Sequence, residues 1–171
     1  MSLRHFFIAS SLILAPITTL GFGSAAFANT ASGIIQLSGT VDSQIAIGAN
    51  RTNAGGALPL SPSAAGQDGS TNVHIADLNI TSNNIAGITI TSSSVNAGKL
   101  KSGENQIAYT IAIVDNDAGT PTTYVSNLNQ NVNGFNTETG IKSMDLYIRY
   151  SVGGMPKKGT YTDTITITVA D

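Results

Sequence analysis

Apolar side chains recur at every second position along most of this chain. The runs are Ile35, Leu37, Val41; Val73, Ile75; Leu78, Ile80; Ile88, Ile90; Ile107, Tyr109, Ile111, Ile113; Leu146, Ile148, Tyr150, Val152; and Tyr161, Ile165, Ile167, Val169. Successive side chains of a strand point to opposite faces, so a period of two buries one face of a sheet, whereas a helix needs a period near 3.6. Most of the repeating residues are β-branched or aromatic, which suits a pleated surface. Clusters that favour turns separate the runs: Ser82-Asn83-Asn84, Asn96-Ala97-Gly98, Asp115 to Gly119, and Gly153-Gly154-Met155-Pro156. No convincing helix is present. Seven or so short strands with Ser and Thr on their outer faces predict an all-β chain folded as a β-sandwich.

Two stretches fall outside this pattern, Gly48 to Ser70 and Ala118 to Thr139, both rich in Asn, Gly, Ser, Thr and Ala. They read as long surface connections, where binding residues tend to sit.

The first 28 residues have a different character. Arg4 is followed by a mostly apolar run from Phe6 to Leu20, then by small residues ending in Ala26-Phe27-Ala28. That order is the one a signal peptidase reads, and it predicts cleavage between Ala28 and Asn29. Ser10, Ser11, Pro16, Thr18 and Thr19 interrupt the run, and a spanning helix needs about 20 predominantly apolar residues. An exported protein with no membrane insertion of the mature chain is therefore expected. Residues 29–171 are enough for one domain with its own core.

The chain has no cysteine. A protein bound for an oxidising compartment then relies on sheet and core alone, and a lipoprotein anchor, a thiol nucleophile and cysteine metal sites are excluded. The formal charge is −2, and Lys157-Lys158 is the longest basic run. Nucleic-acid binding is not expected.

Few residues suggest chemistry. His74 alternates with Val73 and Ile75, and together with Asp77 and the many serines it raises the idea of a hydrolytic triad. No nucleophile signature surrounds any serine, and His74 reads as a strand histidine facing solvent. No cluster of His, Cys and carboxylate ligands is apparent, so no metal and no cofactor are expected, and no catalytic residue is assigned. Asp115-Asn116-Asp117 places two carboxylates at alternate positions as calcium loops do, yet lacks the glycine and the distant glutamate of such a loop, and a polar turn explains it equally well. Asn50-Arg51-Thr52 and Asn79-Ile80-Thr81 match the glycosylation acceptor pattern and are expected to be unmodified. Gly98 to Gly103 lacks the phosphate-loop spacing and reads as a turn.

The segment from Ala31 to Val41 is the most informative. Ala31, Gly33, Ile35, Leu37, Gly39 and Val41 share one side, and Ser32, Gln36, Ser38 and Thr40 share the other, with Ile34 the exception. Two readings stand: the first strand of the chain's own sandwich, or a strand that leaves the domain and completes another subunit's sheet.

The stretch Ile35-Gln36-Leu37-Ser38-Gly39-Thr40-Val41-Asp42-Ser43-Gln44-Ile45-Ala46-Ile47 resembles the N-terminus of cysteine-free major pilins of the alternate chaperone-usher pathway, the colonisation-factor type. Ala57 to Pro62 is loosely similar to their next loop. The ending Gly159-Thr160-Tyr161 and its alternating continuation to Val169 is similar to their final strand, and such an ending also occurs in spore-coat-U-like and other fimbrial domains. The resemblance covers both ends of the chain and only the general texture of its middle.

This resemblance implies an immunoglobulin-like sandwich lacking its last strand, held by a periplasmic chaperone, passed to an outer-membrane usher, and closed by the N-terminal strand of a neighbouring pilin subunit. Residues 29–41 would form the donor strand and residues 42–171 the pilin domain, with Ile35, Leu37, Gly39 and Val41 as the inserting positions. Burial of Ile35, Leu37 and Val41 would contribute roughly 1.5–3 kcal/mol each before ordering costs. Each subunit would donate at one place and accept at another, a contact that does not close and so builds a fibre. The function implied is a structural fimbrial subunit at the cell surface, supporting adhesion or biofilm formation. The alternative is a secreted or surface β-sandwich that folds alone and binds a host glycan or protein through its loops.

Overall fold

The computed structural model describes residues 36–62, 66, 68–84 and 86–171. The chain divides into two units, Met1–Gly39 and Thr40–Asp171. Of the first, Gln36–Gly39 are described, and they carry no regular secondary structure. The expected signal peptide, its cut at Ala28 and Asn29, and Ile35 lie outside the described residues.

The second unit contains β1 (Ile45–Arg51), α1 (Asn53–Gly56), β2 (Thr71–Ser82), β3 (Ile88–Ser94), β4 (Lys99–Ser102), β5 (Asn105–Asp115), β6 (Asn129–Val132), β7 (Ile141–Tyr150) and β8 (Ile165–Ala170). Five strands form one sheet in the order β1-β2-β7-β5-β4, and three form another in the order β6-β3-β8. All pairings are antiparallel. The fold is all-β, an immunoglobulin-like sandwich, as the alternation and the resemblance together imply.

The alternating residues meet in one core. Leu78 and Ile80 from β2, Ile88 and Ile90 from β3, Ile111 and Ile113 from β5, and Met144, Leu146 and Ile148 from β7 are all buried. Each takes its place because its neighbours in the strand point the other way.

Several expectations change. The runs Val73, Ile75 and Leu78, Ile80 have opposite parity, and they form a single strand because the β2–β7 register shifts between His74 and Ala76. This β-bulge inserts Ile75 as an extra residue and turns the strand over, so that Val73, Ala76, Leu78 and Ile80 all face the core. The bulge is held from outside the ladder. The Thr52 N–H donates to the Ile75 carbonyl at 2.9 Å, and its hydroxyl donates to the His74 carbonyl at 2.6 Å. The same Thr52 oxygen accepts from Gly55 N at 3.0 Å and caps α1. Gly55 fits there because a Cβ would collide with the Ile75 carbonyl oxygen.

The segment Gly48 to Ser70 is therefore not all connection, since it supplies the end of β1 and all of α1. Within Ala118 to Thr139, Leu128 and Val132 are buried, β6 pairs with β3, and Val125 bridges Ile111. Gly98 to Gly103 is a short strand, β4, flanked by turns at Ala97-Gly98 and Gly103, rather than a turn throughout. The strand expected around Leu37 and Val41 is absent from both sheets among the described residues, and pairing begins at Ile45.

Candidate functional site

Burial within each sheet is uneven in an informative way. In the three-stranded sheet, Ile88 and Ile90 of β3 are fully buried, yet their neighbours Ile165, Ile167 and Val169 on β8 are only half-buried. In the five-stranded sheet, Leu78 and Ile80 are fully buried, whereas Ile45 and Ile47 on β1 are half-buried. β1 and β8 are each the outermost strand of their sheet at one side of the sandwich. At the other side the short outermost strands β4 and β6 bury Leu100 and Val132.

Between β1 and β8 lies a groove of about 490 Å³. One wall is Ile47, Ala49 and Arg51 of β1, and the other is Ile165 and Ile167 of β8. The floor is Leu78, Leu146 and Ile148, and Leu58 and Leu60 follow α1 along its rim. Each flanking strand carries unpaired backbone donors and acceptors along its outer edge among the described residues. An apolar trough between two open edges offers an extended segment both a hydrogen-bonding ladder and pockets for alternate side chains.

One end of the groove is organised by Asp163. Its carboxylate accepts from Ser94 Oγ at 2.5 Å, Tyr109 Oη at 2.7 Å, and the backbone N–H groups of Asn96 at 3.0 Å and Thr164 at 2.7 Å. Burial alone would raise its pKa, but these donors prevail and hold the carboxyl below its ordinary value. Burial, and secondarily the neighbouring carboxylate, pushes the Tyr109 phenol well above the usual tyrosine range, so it stays a donor. Next to this network Thr162 and Lys101 exchange two backbone hydrogen bonds at 3.0 Å, tying the approach to β8 onto β4.

Of the residues expected from the sequence to be donated, those described lie outside both sheets. Leu37 is 92% exposed and Val41 is 85% exposed, and a Cβ on Gly39 would meet nothing within 4 Å. Ile45 begins the strand that forms the groove's own wall.

A model of the Spore Coat Protein U domain matches residues 59–168, well over half of the chain. The chain belongs to that family. Spore Coat Protein U domains are chaperone-usher fimbrial subunits, so the chain is a fimbrial subunit whose partners are other pilin subunits, a chaperone and an usher, and whose destination is the cell-surface fimbria. The family is structural rather than enzymatic. Comparison with curated proteins finds no match. Among the described residues no helix is long and apolar enough to cross a membrane. The family match begins at Pro59 and takes in most of the sandwich, including β8 as far as Thr168, but not β1 or the segment before it.

The remaining polar candidates of this Spore Coat Protein U domain resolve as follows. Asp115 ends β5 and pairs with Lys142 at 3.0 Å, and Asn116 donates to Asp117 within a turn at 2.8 Å. Asn50 lies in β1 and Asn79 in β2. His74 does not simply face solvent. It is half-buried, stacks on Tyr147 with ring centroids 4.9 Å apart, and lies within 3.6 Å of carboxylate oxygens from both Asp77 and Asp145. Asp145 lies on another strand, so nothing in the sequence joins it to His74 and Asp77, and the three form a cluster of possible ligands that the sequence does not lead one to expect. The parity change between Ile75 and Leu78 was the one signal of the bulge that brings His74 and Asp77 to the same face.

Proposed function

We propose that this chain polymerises by donor-strand exchange, with residues 29–41 of one subunit completing the sandwich of the next. The observation that carries the reading is the apolar groove between β1 and β8, where Ile47, Ile165 and Ile167 remain half-buried while Leu78, Ile80, Ile88 and Ile90 on the adjacent strands are fully buried. The chain also holds a segment with the complementary pattern. Leu37 and Val41 lie on one side of an alternating run and are almost fully exposed. Inserted as a strand, Ile35, Leu37 and Val41 would fill the groove, Gly39 would admit close backbone approach, and Ser38 and Thr40 would face water.

On this reading residues 1–28 are a signal peptide and cleavage between Ala28 and Asn29 frees the donor end, leaving residues 42–171 as the pilin domain. The chaperone protects the groove in the periplasm until the usher exchanges it for a donor. The absence of cysteine and the stretch from Ile35 to Ile47 favour the alternate, colonisation-factor type of this pathway. The fibre then supports adhesion or biofilm formation.

Deletion of residues 29–41 tests the proposal. The truncated subunit is expected to reach the periplasm and bind its chaperone but to form no fibres on cells. Fibres assembled from the truncated subunit would refute donation by this segment.

A further inference from the structure

The outer face of the five-stranded sheet carries three ligand-bearing side chains that the sandwich itself does not need there. His74 and Asp77 are three apart on β2, a spacing that puts side chains on opposite faces of a regular strand. The bulge at Ile75 brings them to the same face, opposite Tyr147 and Asp145 of β7. His74 Nε2 is 3.2 Å from Asp77 Oδ1 and 3.6 Å from Asp145 Oδ1, and the three ligand atoms lie within 4.8 Å of one another.

The hydrogen bonds of this cluster do not close. His74 Nε2 is also 3.1 Å from the Ala76 carbonyl oxygen, so one nitrogen, carrying at most one proton, faces three acceptors. Asp145 is 6% exposed, and its Oδ1 has no hydrogen-bond partner although it points at this imidazole. A buried carboxylate oxygen left this way is costly. Two carboxylates about one imidazole leave net negative charge even when the ring is protonated. Two cations on this sheet are paired elsewhere, Arg149 with Asp68 and Ser70 and Lys142 with Asp115, and Arg51 lines the groove on the opposite side.

We propose that His74, Asp77 and Asp145 form a binding site for a divalent transition-metal ion of the zinc class, linking β2 to β7. One imidazole nitrogen and two carboxylate oxygens are a donor set that zinc accepts, with solvent at the remaining position. Bond lengths near 2.1 Å about a tetrahedral ion separate its ligand atoms by roughly 3.4 Å, and the two distances from Nε2 bracket that value. Calcium and magnesium prefer sites built of oxygen, so the imidazole selects against them. An ion here satisfies Asp145 Oδ1, and the exposed side of Asp77 provides the entry path. The site is on the outward face of β2 and β7 and does not depend on how the groove is filled.

The test is calorimetric titration of the purified protein with zinc chloride, with calcium chloride and magnesium chloride in parallel, alongside thermal unfolding at each metal concentration. Zinc is expected to bind and to raise the unfolding midpoint as its concentration rises, and calcium and magnesium to do neither. His74→Gln, Asp145→Asn and Asp77→Asn are each expected to weaken zinc binding by about tenfold or more. Asp77 is largely exposed, so its variant keeps the test decisive if the other two fold poorly. A long-range nitrogen–proton spectrum assigns the imidazole, since the His74 ring nitrogens should shift with zinc. No zinc binding, equal zinc affinity in all three variants, or calcium binding as tight as zinc would each overturn the proposal.

Discussion

Truncating Leu37 to alanine measures the donor reading quantitatively. Its side chain is 92% exposed, so nearly all of its apolar surface is available for burial in a neighbouring subunit's groove. Full burial of a leucine contributes about 1.5–3 kcal/mol, and removing most of it while the groove walls stay in place costs about 2–3 kcal/mol. At 1.4 kcal/mol per tenfold change, affinity should fall about 30- to 150-fold. Ser38 is the control because it lies on the other side of the alternating run, and Ser38→Ala should change affinity by less than about threefold, within the usual range for an exposed site. The assay is calorimetric titration of a synthetic peptide of residues 29–41, and of its two variants, into subunits lacking that segment. Leu37→Asp should abolish binding, because it carries an unpaired carboxylate into an apolar trough. Equal losses for Leu37→Ala and Ser38→Ala would refute the reasoning, since the strand would then not be read through one face.

Two further perturbations probe the framework around the groove. Asp163→Ala should destabilise the fold by about 2–4 kcal/mol in denaturant titration, because it strands the buried Tyr109 hydroxyl as well as losing charge-assisted hydrogen bonds. The folded-state pKa of Asp163 is lowered, so its contribution is complete above the unfolded value near 4 and disappears as pH falls through the lower folded value. Wild-type stability should therefore decline on acidification below about pH 4, and Asp163→Asn should flatten that decline. Thr52→Ala removes both the cap of α1 and the donor to the His74 carbonyl, at a cost of about 1–2 kcal/mol. Hydrogen exchange should then accelerate around the Ile75 bulge before it does so in β5 or β7.

The sequence by itself determined the fold class. A period of two in β-branched and aromatic residues has one low-energy use, a sheet with one buried face, and Ile88 with Ile90 or Ile111 with Ile113 occupy the core the alternation assigns them. Composition also removed thiol chemistry, because that depends on which side chains exist and not on where they are. The tertiary structure decided what alternation cannot express. Ile165 and Ile167 alternate as well as Ile88 and Ile90 do, yet only the sheet order makes them half-buried walls of an open groove. Periodicity names the face a residue occupies, and the neighbouring strand decides whether that face is covered. His74, Asp77 and Asp145 converge for the same kind of reason. A one-residue bulge reverses the strand's facing and cross-strand register brings in Asp145, so the cluster exists only once β2 is paired with β7.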